Sequence, residues 1–283
     1  MKNYLSLIKF SHTIFALPFA LIGYFLALDH TSYQFNLKSF LLMLICMVTA
    51  RSAAMAFNRY IDRNIDAKNP RTKSREIPAG IVKANTALFY VIINSIAFIA
   101  ATYYINEICF YLSPIALFIV LIYSYTKRFT ALCHFVLGLG LSLAPIGAYL
   151  VITGSFHITP IYYSIAVLTW VSGFDIIYAL QDEQFDKSES LHSVPAKIGI
   201  KNALNLSTLL HIVSSLFIIL PGLSESYGMW YWIGTAVYIG MLIYQHRLVK
   251  PNDLSKVNLA FMTTNGVASV CFACFYLLNY FLN

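Results

Sequence analysis

Apolar stretches of about 17–25 residues recur along the whole chain, the length a helix needs to cross a bilayer. Nine can be read: residues 10–28, 38–57, 86–105, 108–124, 132–153, 160–181, 203–221, 228–247 and 259–281. The connections between them are short and polar, except for two long ones at 58–85 and 182–201. Each long connection opens on acidic residues and closes on basic residues with a turn signal, Pro78-Ala-Gly80 in one and Pro195 with Gly199 in the other. The pattern predicts an all-α integral membrane protein, nine helices in a bundle around a central cavity. No composition break divides it, so residues 1–283 read as one polytopic domain. The matched long connections hint at an internal duplication.

Composition agrees with a membrane chain: 59% hydrophobic, 11% charged, mean hydropathy +0.68. Charge then sets the orientation. With nine spans and a cytoplasmic N-terminus, 17 of the 19 Lys and Arg fall in cytoplasmic regions. Lys38 lies outside and Arg51 within a span, while the outer loops carry Asp29, Glu107 and Glu225. Basic residues gather on the cytoplasmic side of membrane proteins. The formal charge of +7 follows from this topology and from attraction to anionic lipid. No aromatic-basic pattern suggests nucleic-acid binding. The basic start runs straight into a span with no small-residue cleavage site, so no removable signal peptide is expected. The localisation implied is a bacterial-type inner (cytoplasmic) membrane. Cys271-x-x-Cys274 lies in the last apolar span without a nearby His or second pair, and reads as packing. His134 and His211, isolated on apolar helices, read as structural.

The candidate chemistry sits in the two acidic openings. Arg51, Asn58, Asp62 and Asp66 advance around a helix by about −20°, +40° and +40°, forming one polar stripe. Asn58 to Asp66 covers about 12 Å of helix axis, enough for a metal and the phosphates it bridges. Asp175, Asp182 and Asp186 lie within about 60° of one another, with Tyr178 and Gln181 beside that face. Carboxylates at a membrane boundary need a cationic partner. Two facing sets suggest Mg²⁺ and a phosphate-bearing substrate. A solvated helix end with neighbouring ion pairs is the plain alternative for the first set. For Asp175 the alternative is an interhelix hydrogen bond or an ion pair, for example with Arg51. Cations surround these acids: Lys73 and Arg75 after the first set, Lys127 and Arg128 after the fourth span, and Lys9 entering the first. All of them also serve the positive-inside rule.

The stretch from Asn58-Arg-Tyr-Ile-Asp62-Arg-Asn-Ile-Asp66 through Arg71-Thr-Lys-Ser-Arg75-Glu-Ile-Pro78-Ala-Gly80 resembles the first signature of the UbiA superfamily of intramembrane aromatic prenyltransferases. Asp175-Ile-Ile-Tyr178-Ala-Leu-Gln-Asp182-Glu-Gln-Phe-Asp186, closing with Lys197-Ile-Gly199, resembles the second. The likeness covers essentially the whole chain. It implies Mg²⁺-dependent transfer of a polyprenyl group from polyprenyl diphosphate to an aromatic acid in quinone biosynthesis. Asn58, Asp62, Asp66, Asp182 and Asp186 would hold metal, with the four aspartates catalytic. Lys73, Arg75, Lys127, Asp175, Tyr178, Arg51 and Lys9 would bind substrates, Arg51 or Lys9 taking the acceptor carboxylate. The pattern looks most like the 4-hydroxybenzoate enzymes; a naphthoate acceptor for menaquinone is the alternative. Two positions depart from the family pattern: Arg59 stands where many members have Asp, and Glu76 where Pro is common. Arg59 is expected to be able to contact phosphate itself. A transporter using intramembrane carboxylates is the rival class, but it calls for acids near midplane. A CDP-alcohol phosphotransferase would need an Asp-Gly-x-x-Ala-Arg lead-in that is missing. Chain length of the prenyl group, the acceptor and oligomeric state stay open.

Overall fold

A computed structural model describes residues 6–7 and 15–282. Lys9 therefore lies outside the described residues. No β-strand occurs among the described residues; ten helices follow in order. They are α1 (Leu17–Asp29), α2 (Leu37–Lys68), α3 (Ala84–Tyr103), α4 (Glu107–Thr126) and α5 (Cys133–Thr153). Then come α6 (Ile158–Ala179), α7 (Glu183–Ser188), α8 (Val194–Ser224), α9 (Met229–Leu248) and α10 (Asn265–Leu282). Seven helical spans among the described residues are long and apolar enough to cross a membrane. The described α1 has 13 residues, and α9 is diluted by Tyr231, Tyr238, Tyr244 and Gln245. Phe89, Ile96, Phe118 and Leu216 point outward and exposed, as lipid-facing side chains do. The chain is a multi-pass integral membrane protein.

Local signals explain the helix limits. Asn36 caps α2 by accepting from the backbone N–H groups of Lys38 and Ser39 at 2.9 and 3.3 Å. α2 outruns its apolar stretch by three turns, because the polar stripe from Asn58 to Asp66 stays helical. It stops where Asn69 turns extended before Pro70, which disfavours helical backbone at the residue preceding it. Gly154 ends α5 in the left-handed conformation at φ +58°. α8 starts with Ser193 capping Ala196 and is broken at Gly199, φ +79°. The segment expected as 203–221 thus extends back to Val194, across that kink.

The interior has two characters. α1, α6, α8, α9 and α10 enclose an aromatic core in which Phe19, Tyr163, Trp170, Tyr238 and Phe272 are buried. Its polar tips are satisfied: the Trp170 indole donates to Asn265 at 2.8 Å, and Ser214 bonds the Tyr238 hydroxyl at 2.8 Å. α1 crosses α5 in backbone contact, since a Cβ on Gly23 would stand 2.0 Å from the Pro145 carbonyl oxygen. Small residues permit such close crossings in membranes. On the other side, α2, α4 and α5, with α1 and α3 at the edges, surround a cavity of about 410 Å³. Its described lining is almost wholly apolar, and Arg51 is the one charged group. The five cysteines are free. Cys274 is exposed on α10.

Candidate active site

The helical stripe of α2 carries the first acids to the end of the bundle where α4 and α6 also finish. Asp62 is almost fully buried, 1% exposed. Asn58 Nδ2 donates to its Oδ2 at 3.1 Å. Lys127 Nζ donates to the same oxygen at 2.6 Å, and Arg128 Nη2 to Oδ1 at 3.0 Å. Lys127 and Arg128 follow directly on α4, so that helix delivers two cations to one carboxylate. Asp66, one turn further, is buried and takes Arg75 Nη1 on both oxygens at 2.8 and 3.0 Å.

The second acids are positioned by a change of helix type. α6 tightens into a 3₁₀ turn at Leu180–Asp182 before α7 begins. Asp182 closes that turn and Asp186 follows in α7. Asp182 turns toward the loop after α2. Asn69 Nδ2 donates to its Oδ1 at 3.0 Å. Arg71 Nε donates to the same oxygen at 3.0 Å, and Arg71 Nη2 pairs with Oδ2. Arg71 also donates to the Tyr178 hydroxyl at 2.9 Å and lies over the Tyr178 ring at 5.0 Å. That ring is stacked on Phe261, centroids 4.1 Å apart, within the π-helical stretch Leu259–Thr264. Burial disfavours the Arg71 charge, but its bonds to Asp182 and Tyr178 outweigh this and raise its pKa.

The two signatures meet. Loop residues of the first, Asn69 and Arg71, grip Asp182 of the second. Lys127, bound to Asp62, also lies within electrostatic reach of Asp186, as do Asp182 and Ser193. The Lys127 carbonyl accepts from His192 N–H at 2.7 Å, tying the second long connection to the end of α4.

Other expected site residues lie elsewhere. Lys73 is exposed and makes no ion pair with a described residue. Asp175 is engaged by His134 Nδ1 at 2.7 Å, not by Arg51. The His134 Nε2 accepts from Val194 N–H at 3.2 Å, so this pair braces α5 against α6 and the start of α8. Arg51 is in the cavity wall, its buried Nε without a hydrogen-bond partner among the described residues. Arg71 and Asn69 were not singled out from the sequence as binding residues, because nothing local distinguishes them from other loop residues.

Arg59 stands beside the first acids, its Nη1 donating to Asn58 Oδ1 at 3.5 Å. It is buried, with Nε 3.7 Å from Glu76 Oε2, and Ser6 donates to the other Glu76 oxygen. The two departures from the family pattern therefore answer each other: an extra buried cation meets an extra buried anion. Glu76→Gln is expected to destabilise the protein by about 3 kcal/mol, because it removes the nearest carboxylate from a buried guanidinium. The double variant Arg59→Met, Glu76→Met should recover most of that loss. Thermal unfolding in detergent checks both; a single variant as stable as wild type would show that the pair contributes nothing.

A model of the UbiA prenyltransferase family matches residues 16–267. The 4-hydroxybenzoate octaprenyltransferase of Tolumonas auensis is 31% identical over 242 residues, 84% of each chain. Among solved structures, a UbiA homolog from Aeropyrum pernix K1 superposes with TM-score 0.82 at 30% identity, covering 96% of this chain and 97% of that one. A UbiA homolog from Archaeoglobus fulgidus, solved with DMAPP and Mg²⁺, has TM-score 0.74 at 21% identity over 99% and 100% of the chains. With both signatures folded onto one end of a helical membrane bundle, the chain belongs to the UbiA prenyltransferase family and is a prenyltransferase.

Proposed function

We propose that the protein transfers a polyprenyl group from its diphosphate to 4-hydroxybenzoate, with Mg²⁺, in quinone biosynthesis. The supporting observation is the juncture of both acidic motifs, through Arg71 and Lys127, beside an apolar cavity. Arg51, Met55 and Tyr123 line that cavity. Asn58 and Lys127 stand about one turn beyond Met55 and Tyr123 on the same helices. A diphosphate among the charges thus leads directly into an apolar space for its tail.

The donor set fits Mg²⁺. Asn58, Asp62, Asp66, Asp182 and Asp186 each offer oxygen ligands, and the carboxylates of Asp62, Asp66 and Asp182 already hold cations. When bound, Mg²⁺ supplies positive charge to the diphosphate oxygens. Arg71, Arg75 and Lys127, now paired with these carboxylates, are placed to neutralise the rest of the leaving group. The allylic C–O bond breaks with its electron pair on the diphosphate. The cavity wall excludes water from the resulting cation. The phenol ring attacks, and its proton passes to a carboxylate or to the released diphosphate. Arg51 holds the acceptor carboxylate.

In this reading nine helices span the membrane, the described α1 and α9 included. The N-terminus and the acidic end then face the cytoplasm, across a bacterial-type inner membrane. Similarity to enzymes named for 4-hydroxybenzoate favours that acceptor over naphthoate.

Proteoliposomes supplied with labelled polyprenyl diphosphate and a panel of hydroxybenzoate and naphthoate acceptors test the reading. Prenylated hydroxybenzoate should form, stop with EDTA and resume with Mg²⁺. Metal-independent transfer, product on naphthoate alone, or substrate flux without product would overturn it.

A further inference from the structure

At the opposite end of the bundle a second constellation remains unused by this chemistry. His30 caps the C-terminus of α1, His157 the N-terminus of α6, and Glu225 the C-terminus of α8. One ligand atom from each comes within 4.8 Å of the others. The two imidazoles are edge to face, centroids 4.6 Å apart. From the geometry we infer that His30, His157 and Glu225 form a Zn²⁺ site that clasps the ends of these three helices.

The atoms not aimed at the centre are already held. His30 Nδ1 is bonded to the Tyr149 hydroxyl at 3.2 Å. Thr159 Oγ1 donates to Glu225 Oε1. That leaves His30 Nε2 and Glu225 Oε2 facing each other at 3.2 Å. His30 Nε2 is a buried atom with no hydrogen bond of regular geometry among the described residues. In the tautomer that gives Nδ1–H to the Tyr149 hydroxyl, the Nε2 lone pair and Glu225 Oε2 both face the centre, where one cation would bind both. Ligands whose outer atoms are tied by a second layer of hydrogen bonds are the usual construction of zinc sites. His157 is exposed at the rim, and its Nδ1 accepts from Thr159 N–H at 3.3 Å. Two imidazoles and one carboxylate suit Zn²⁺ with a water in the fourth position, at ligand distances of about 2.0–2.2 Å. Small side-chain rotations close the cluster to that size. The same three groups would bind Mg²⁺ poorly, since it prefers oxygen and keeps its waters. The site is thus chemically separate from the acidic end.

The test uses the full chain in nanodiscs, stripped with chelator and titrated with Zn²⁺ in excess Mg²⁺. Calorimetry should give one zinc per chain, and Co²⁺ substitution should give the visible absorption of a low-coordinate nitrogen–oxygen site. His157→Asn keeps a helix-capping acceptor but removes the ligand; Glu225→Gln removes the charge. Each should weaken Zn²⁺ binding by at least about tenfold and abolish any zinc-induced rise in melting temperature. Asp182→Asn should leave binding unchanged. If Glu225→Gln does not fold, His157→Asn decides alone. Absence of zinc binding by wild type, or wild-type affinity in His157→Asn, overturns the site.

Discussion

Asp62→Asn is expected to lower transfer on the order of 10³-fold, the scale seen when one preorganised charge-stabilising group is removed from a site. Asp62 is where the motifs' cations concentrate: Lys127 at 2.6 Å and Arg128 at 3.0 Å share one buried carboxylate. Asparagine keeps the shape and one oxygen acceptor but takes away the charge. Both cations then lose their counter-ion, and the oxygen donor set proposed for Mg²⁺ loses an anion. The stability cost is smaller than for a fully buried pair, because Lys127 and Arg128 are 29% and 23% exposed and can turn to water. The loss should therefore appear in kcat, since charge on the leaving diphosphate develops in the transition state. Single-turnover assays on purified variant in nanodiscs, alongside a melting curve, separate chemistry from folding. Turnover within a few-fold of wild type would remove Asp62 from the reaction.

The second large effect is expected at Arg51. Its guanidinium stands in an otherwise apolar cavity wall, with Nε buried and unpartnered among the described residues. A charge in such surroundings calls for an anion, and an acceptor carboxylate is one of the right size. Arg51→Met keeps the length and the apolar stem. It should raise the acceptor KM about 10- to 100-fold, the worth of a charge-assisted hydrogen bond, and leave the donor KM unchanged. Preference for 4-hydroxybenzoate over a phenol lacking the carboxylate should shrink by the same factor. An unchanged acceptor KM would place the carboxylate elsewhere.

The helices were legible because membrane spans announce themselves by length and apolar content alone. The stripe from Asn58 to Asp66 was legible because four-residue spacing is a local property of one helix. What escaped depends on contacts between remote segments. Nothing in Asn69-Pro-Arg71 says that it will grip Asp182, and the 3₁₀ turn that ends at Asp182 has no distinctive composition. Arg59 and Glu76 each look like an oddity in the sequence, and only proximity makes them a pair. A structural role for His134 fits its brace to Val194 N–H, while its bond to Asp175 joins two helices and leaves no local mark in the sequence. Hydropathy also marks where the bilayer stops, not where a helix stops, so the last three turns of α2 fell outside the stretch assigned to it.

The acids of the two motifs are not waiting bare. Asp62, Asp66 and Asp182 each hold a lysine or arginine, so in the proposed reaction loading is a trade of counter-ions. With Mg²⁺ bound, the carboxylates would hold the metal and the arginines would take the incoming phosphate oxygens as their anions. Neither newcomer fits well by itself: metal alone would crowd positive charge against the arginines, and diphosphate alone would face the carboxylates. The ion and the lipid pyrophosphate should therefore enter as a neutralised couple, each raising the other's affinity.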